Sequence, residues 1–179
     1  RDEEGKPKQP PADLGSFTDA LGEYMPGALG LIYGFSQTGK SYVMQWMEGR
    51  YAAAGHTTLR LSIEDPDRLN AARLVSEATC VDCSKPSSLR RDDWARILRT
   101  IGTQRDEWDR RFVVEHPSSV ETAAHTIRRM STDLGVSVAF VDYAQLLRVA
   151  DRHDSAEQRL SAATAMLKEV AKECGVQLW

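Results

Sequence analysis

Residues 28–41 read ALGLIYGFSQTGKS. The first six form a short apolar run, which is typical of a buried strand. The last eight, Gly34 to Ser41, match the phosphate-loop pattern G-x-x-x-x-G-K-[ST] at every fixed position. A helix is predicted to begin near Gly39 and end near Ala54, because apolar residues recur there at helical spacing and Gly55 can supply a left-handed stop. Strand, loop and helix therefore follow one another in the order that a phosphate-binding turn needs.

The residues of this loop suit the binding of a nucleotide. Backbone N–H groups of the loop and of the helix N-terminus point toward a β-phosphate, and the glycines permit the tight backbone path. We expect the Lys40 ammonium to lie between the β- and γ-phosphates and the Ser41 hydroxyl to bind Mg²⁺. The residues that we predict to bind nucleotide are Gly34, Ser36, Gln37, Thr38, Gly39, Lys40, Ser41 and Tyr42.

Strand and helix signals alternate along the rest of the chain. Apolar or β-branched runs predict strands at residues 28–33, 56–63, 112–115, 136–141 and 176–179. Helical periodicity predicts helices at residues 39–54, 65–79, 90–108, 118–134 and 155–174, and the last two each open on a capping box, Ser118 with Glu121 and Ser155 with Gln158. The alternation predicts an α/β fold with a mostly parallel central sheet and helices on both faces. We expect the 56–63 strand to lie beside the phosphate-loop strand.

Two carboxylates stand at the carboxyl ends of predicted strands, which is where such sheets bind their ligands. Asp142 follows the apolar run 136–141 and can hold Mg²⁺ through water. Glu64 follows the 56–63 strand and can deprotonate a water that attacks a γ-phosphate. From spacing alone, an ordinary surface glutamate beside an Asp65 N-cap explains Glu64 equally well.

Composition excludes several classes of protein. The chain has 179 residues with 23 basic and 26 acidic side chains, a net charge of -3, which is not the balance of a protein that coats nucleic acid. No apolar run reaches the roughly 18 residues of a membrane span, and the start has no signal-peptide pattern, so no membrane partner is expected. Residues 1–15 are polar and proline-rich and are predicted to form a flexible arm before a domain that spans 16–179.

Cysteine usage indicates a reducing, cytoplasmic location. Three cysteines are too few, and odd in number, for a disulfide framework. Cys80 and Cys83 have the spacing of a zinc half-site, but no second pair of ligands stands at metal spacing. We therefore expect ordinary thiols at these positions.

Several motifs together resemble the RecA-like motor (C-terminal) domain of DnaB-type replicative helicases. They are the lead-in SFTDALGEYMPGALGLIYG from Ser16, the phosphate loop, LSIEDPDRLNAARL from Leu61, LRRDDWARI from Leu89 and VAFVDYAQLL from Val138. The phosphate loop alone is shared by many folds. VDYAQLL is far more specific, because the family places an aspartate, an aromatic residue and a glutamine at this spacing. Pro66 departs from the usual family sequence.

This resemblance implies ATP and Mg²⁺ as cofactors and assigns roles by position. Lys40 and Ser41 would bind phosphate and Mg²⁺. Glu64 would be the catalytic base, and Asp142 the Walker-B residue. Gln145 would lie near the γ-phosphate or couple the site to DNA loops, with a plain structural role equally open.

The resemblance also implies macromolecular partners. Arg148 and Arg152 would contact backbone phosphates of single-stranded DNA, with an ordinary solvated loop as the alternative. The protein would form a hexameric ring with the site at the subunit boundary, and a primase or a helicase loader would bind it. The family's next strand, arginine finger and second DNA loop are expected to follow Trp179. The alternatives left open are a RecA- or RadA-like recombinase, a KaiC-like ATPase, a plasmid-type helicase, a small-molecule kinase and an inactive nucleotide-dependent assembly module.

Overall fold

The computed structural model describes residues 24–35, 38–63, 67–115, 117–142, 148–149 and 155–179, so the predicted arm lies outside it. The helices are α1 Lys40–Ala53, α2 Asp67–Thr79, α3 Arg91–Thr103, α4 Arg105–Trp108, α5 Val120–Leu134 and α6 Ala156–Cys174, with a 3₁₀ turn at Pro86–Ser88. The strands are β1 Thr57–Ser62, β2 Arg111–Glu115, β3 Val136–Asp142 and β4 Gln177–Leu178. Their alternation confirms the predicted α/β class.

Within the described residues, the strands form one parallel sheet in the order β2-β1-β3-β4. The segment that leads into the phosphate loop lies beyond β4. Gly30 N donates to Leu178 O at 2.8 Å, and Leu178 N donates to Ala28 O at 2.8 Å. The segment makes one parallel bridge, Leu29 to Leu178, instead of the predicted strand over 28–33. The two-residue β4 offers too few backbone groups for a longer ladder.

The predicted neighbour of this segment was wrong. β1 lies between β2 and β3, so β3 and β4 both separate it from the phosphate-loop segment. β3 takes the central place because all residues from Val136 to Val141 are buried. A strand that is apolar on both faces must be covered on both faces.

Helices cover both faces of the sheet, as predicted. On one face, α5 and α6 pack against Ala139 and Val141 of β3. On the other face, α1 packs against Val138 and Phe140. Successive side chains of a strand point to opposite faces, so β3 contributes to both halves of the core.

Replacing Phe140 with alanine is expected to lower the free energy of unfolding by about 3–5 kcal/mol, because a large buried ring is lost and a cavity remains. Phe140 is 0% exposed. Urea unfolding of the complete protein, followed by circular dichroism, measures the change. Leu98→Ala is the matched control, since Leu98 is 69% exposed and its loss should stay within about 0.5 kcal/mol. Equal losses in both variants would contradict the place of Phe140 in the core.

Charged side chains are buried between α1, α2 and the sheet, and we call this group the Glu48 network. Glu48 of α1 is fully buried; Arg60 Nη2 of β1 donates to its Oε2, and Arg111 Nε of β2 donates to its Oε1 at 3.2 Å. Glu77 Oε2 of α2 accepts from Gln45 Nε2 at 3.0 Å and lies 3.7 Å from Arg111 Nη2. Burial raises the pKa of the Glu77 carboxyl, against the opposing effects of Gln45 and Arg111. The network joins α1 to two strands and to α2.

The start of α5 departs from the prediction by one residue. Ser119, not Ser118, is the N-cap, and its hydroxyl accepts from Thr122 N at 3.2 Å. A parallel bridge to Arg148 accompanies the extended backbone of Ser119 and delays the helix. By contrast, the predicted Ser155–Gln158 capping box of α6 is confirmed.

The predicted 90–108 helix is divided in two. α3 ends at Thr103, and Gln104 has non-helical angles, φ −109° and ψ 23°. Gly102 and Thr103 are poor helix formers, which explains the break. Trp108 consequently lies on the separate helix α4.

Within the described ranges, no helix is both long enough and apolar enough to cross a membrane. Cys80 is an exposed free thiol and Cys83 a buried one. Among these same residues, no group of three or more His, Cys, Asp or Glu side chains is placed to hold a metal ion.

Candidate functional site

The phosphate-loop turn enters α1 through a left-handed glycine. Gly39 has φ 88° and ψ 16°, a conformation that residues with a Cβ adopt only under strain. Gly34 is restricted by space, since a Cβ there would lie 2.9 Å from Thr38 Oγ1. Both fixed glycines of the motif therefore have a structural cause.

The Lys40 ammonium lies against the backbone of its own loop. Its Nζ donates to Phe35 O at 2.8 Å and to Gly34 O at 3.1 Å. Thr38 Oγ1 also donates to Phe35 O, at 2.8 Å. Gly34 and Phe35 are exposed, so a phosphate oxygen can replace these carbonyls with little loss of protein contacts.

The N-terminus of α1 is open to an anion. Gly39 provides no side-chain cap, and the first turn contains no acidic residue. The N–H groups of a first helical turn carry the positive end of the helix dipole. Lys40 adds a full charge at the same point, so backbone and side chain together favour a phosphate group.

Asp142 lines the same cavity as Lys40. The cavity has a volume of about 160 Å³ and lies between the phosphate-loop segment, the end of β3 and α6. Asp142 is the last residue of β3, and its carbonyl accepts from Ile63 N at 2.9 Å. The structure thus brings together the ammonium and the carboxylate that the sequence singled out.

Sequence reasoning missed the walls of this cavity. Leu160 and Thr164 of α6 and Trp179 after β4 line it. None of them carries a group that a phosphate site requires. Which helix face meets the end of β3 depends on packing, so their sequence pattern contained no usable signal.

Gly30→Ala is expected to destabilise the protein, because Trp179 occupies the space beside Gly30. An added Cβ would lie 2.2 Å from Trp179 Cζ3. Overpacking of this kind lowers the free energy of unfolding by about 1–3 kcal/mol, which thermal melts would measure. Gly102→Ala is the matched control: its Cβ meets nothing within 4 Å, and in helix α3 the exchange should raise stability by about 1 kcal/mol. A stabilised Gly30→Ala variant would show that the Trp179 ring lies elsewhere.

Other predicted residues do not meet in this cavity. Tyr42 is 64% exposed and lines a separate surface cavity beside α2. Two steps along a helix turn a side chain about 200° away from Lys40, which explains the separation. Arg148 is exposed, and its carbonyl accepts from Val120 N at 2.9 Å at the start of α5. The predicted residues that fall outside the described ranges are Ser36, Gln37, Glu64, Gln145 and Arg152.

A parallel sheet, helices on both faces and a phosphate-loop turn at the sheet edge define a RecA-like P-loop fold. Comparison with known families narrows this class to one family. The chain belongs to the DnaB-like helicase C-terminal domain family, whose model matches residues 11–178.

Two solved structures share the fold. One is the ATPase domain of another protein, with a TM-score of 0.75 and 23% sequence identity over 87% of this chain. The other is a DnaB-like replicative helicase, described with its interactions with primase, with a TM-score of 0.75 and 21% identity over 87% of this chain. This chain spans 56% of the first protein chain and 38% of the second. At these identities the likeness establishes the fold alone.

Proposed function

We propose that this chain is the ATPase motor of a DnaB-like replicative DNA helicase, which binds and hydrolyses ATP to move along single-stranded DNA. The main support is the meeting of the Lys40 ammonium and the Asp142 carboxylate in one cavity beside the open N-terminus of α1. A nucleoside triphosphate with its metal needs both: positive charge for the phosphates and an oxygen ligand for the ion.

The residues present fit a magnesium ion. Ser41 is half-buried in the first turn of α1, and Asp142 stands at the carboxyl end of β3. Hydroxyl and carboxylate oxygens suit Mg²⁺, so these two residues would hold it. The bound ion would neutralise charge on the β- and γ-phosphates. Lys40 would exchange its two loop carbonyls for phosphate oxygens.

We assign proton transfer to Glu64. β1 ends at Ser62, which pairs in register with Asp142. Glu64 thus follows a strand end that adjoins the proposed metal ligand. A carboxylate in this position can take the proton of the attacking water. Gln145, three residues after Asp142, would respond to the γ-phosphate and couple the site to the DNA loops.

The proposal includes macromolecular partners. Arg148 and Arg152 would contact phosphates of single-stranded DNA, and the exposed Arg148 side chain on a backbone tied to α5 is suited to such a contact. A homohexameric ring would place the nucleotide site at the subunit boundary, and a primase or a helicase loader would bind the ring. Membership of the DnaB-like family supports these partners.

ATP hydrolysis by the complete protein, with and without single-stranded DNA, tests the function. We expect DNA to stimulate hydrolysis and native mass spectrometry to find six copies. Hydrolysis that ignores DNA, together with phosphorylation of a small acceptor, would indicate a kinase. Strand exchange without unwinding would indicate a recombinase. Either result would overturn the helicase proposal.

A further inference from the structure

The Glu48 network lies on the helix face that also carries Ser41. Ser41, Gln45 and Glu48 occupy positions i, i+4 and i+7 of α1, a spacing that places them on one face. Gln45 and Glu48 are 2% and 0% exposed. Ser41 is half-buried, one turn from the phosphate loop. The network therefore holds the same side of α1 that presents the proposed metal ligand.

Directed contacts fix the rotation of α1 more firmly than its apolar contacts do. Met44 and Met47 pack in the apolar cluster beneath the helix, where contacts are non-directional and methionine adapts its shape. Glu48 instead accepts from Arg60 of β1 and Arg111 of β2. Because two different strands hold one carboxylate, α1 cannot turn about its axis without disturbing a charge-assisted hydrogen bond.

The network is a poor source of stability. Arg60 Nε, Arg111 Nη2 and Gln45 Oε1 are buried with no hydrogen-bond partner among the described residues. Buried polar atoms without such partners destabilise a fold, and apolar side chains of similar volume often stabilise it as well as a buried ion pair does. The geometry that the network imposes explains its presence better than stability does.

We propose that Glu48 is a positioning residue of the nucleotide site: with Arg60 and Arg111 it sets the rotation of α1 and thereby the direction of the Ser41 hydroxyl. This inference rests on the proposed nucleotide function. The first-turn N–H groups point along the helix axis, and Lys40 reaches the loop on a long side chain. A rotation about the axis disturbs both less than it disturbs the short Ser41 side chain. The part of ATP affinity that depends on Mg²⁺ therefore depends on Glu48.

The test compares ATP affinity in Mg²⁺ with ATP affinity in EDTA for the complete protein. The double variant Glu48→Met/Arg60→Met replaces the ion pair with apolar side chains and leaves Arg111 with Glu77. We expect its melting temperature to match or exceed that of the wild type, since apolar replacement of a buried pair is often neutral or stabilising. Its affinity in EDTA should change less than about twofold, and its affinity in Mg²⁺ should fall about tenfold, because small misplacements at a site have large effects. A fluorescent ATP analogue gives both constants.

Arg128→Met/Glu173→Met is the matched control. This pair joins α5 to α6 at 2.7 Å and is 43% and 53% exposed, so both affinities should be unchanged. An undiminished Mg²⁺ effect in the Glu48–Arg60 variant would overturn the positioning role. If that variant does not fold, Arg60→Lys, which keeps the charge and loses the planar fork, must show the same selective loss or the role is overturned. A wild-type protein that binds ATP in neither condition would refute the proposed function itself.

Discussion

Replacing Lys40 with alanine is expected to abolish ATP binding by the complete protein. The ammonium of Lys40 supplies a full positive charge beside the cavity, whereas a helix N-terminus supplies only about half of an elementary charge. Without it, the Asp142 carboxylate would face the phosphates with no counter-charge from Lys40. Removing one partner of an enclosed charged contact costs about 2–5 kcal/mol of binding free energy, at least a 30-fold loss of affinity. Titration with a fluorescent ATP analogue measures it.

The fold should survive this substitution. Lys40 Nζ bonds to the carbonyls of Gly34 and Phe35, which belong to exposed residues. The free energy of unfolding should therefore change by no more than about 0.5 kcal/mol. Lys168→Ala is the matched control, because Lys168 Nζ also donates to a glycine carbonyl, that of Gly27 at 3.0 Å, and should leave affinity unchanged. Normal binding by the Lys40 variant would show that ATP phosphates do not lie in this loop.

The phosphate loop could be predicted because its constraints are local. Gly39 adopts φ 88° at the start of α1, and Gly135 and Gly175 adopt φ 66° and 65° at the ends of α5 and α6. At each of these positions the backbone shape favours one residue type at a fixed distance from its neighbours. A pattern of letters therefore records the structure directly.

The strand order and the Glu48 network could not be predicted, because both arise between elements distant in the chain. Arg60 interrupts the apolar residues of β1 and resembles a solvent-facing position of an alternating strand, yet it is 3% exposed. Its burial depends on Glu48 of α1, and nothing in either segment predicts the other. Ser119 shows the same limit on a smaller scale, since its bridge to Arg148 moved the start of α5.

Glu64→Gln is expected to preserve ATP binding and to lower the rate of hydrolysis about 10²–10⁴-fold, the usual contribution of a general base. Glutamine keeps the size of the side chain, but a neutral amide cannot take the proton of the attacking water. The proposed determinants of affinity, the Lys40 ammonium and the N-terminus of α1, stay intact. Single-turnover release of phosphate measures the chemical step, and the fluorescent titration measures binding.

Glu173→Gln serves as the control for a lost carboxylate, because Glu173 pairs with Arg128 on the surface and should leave both constants unchanged. Normal hydrolysis by the Glu64 variant would exclude this residue as the base. Loss of binding together with hydrolysis would assign Glu64 to the metal or the loop instead of the proton. A selective loss of turnover has a geometric meaning. Since Ser62 of β1 pairs in register with Asp142, the base and the metal ligand would then belong to the ends of adjacent strands, with the attacking water between them.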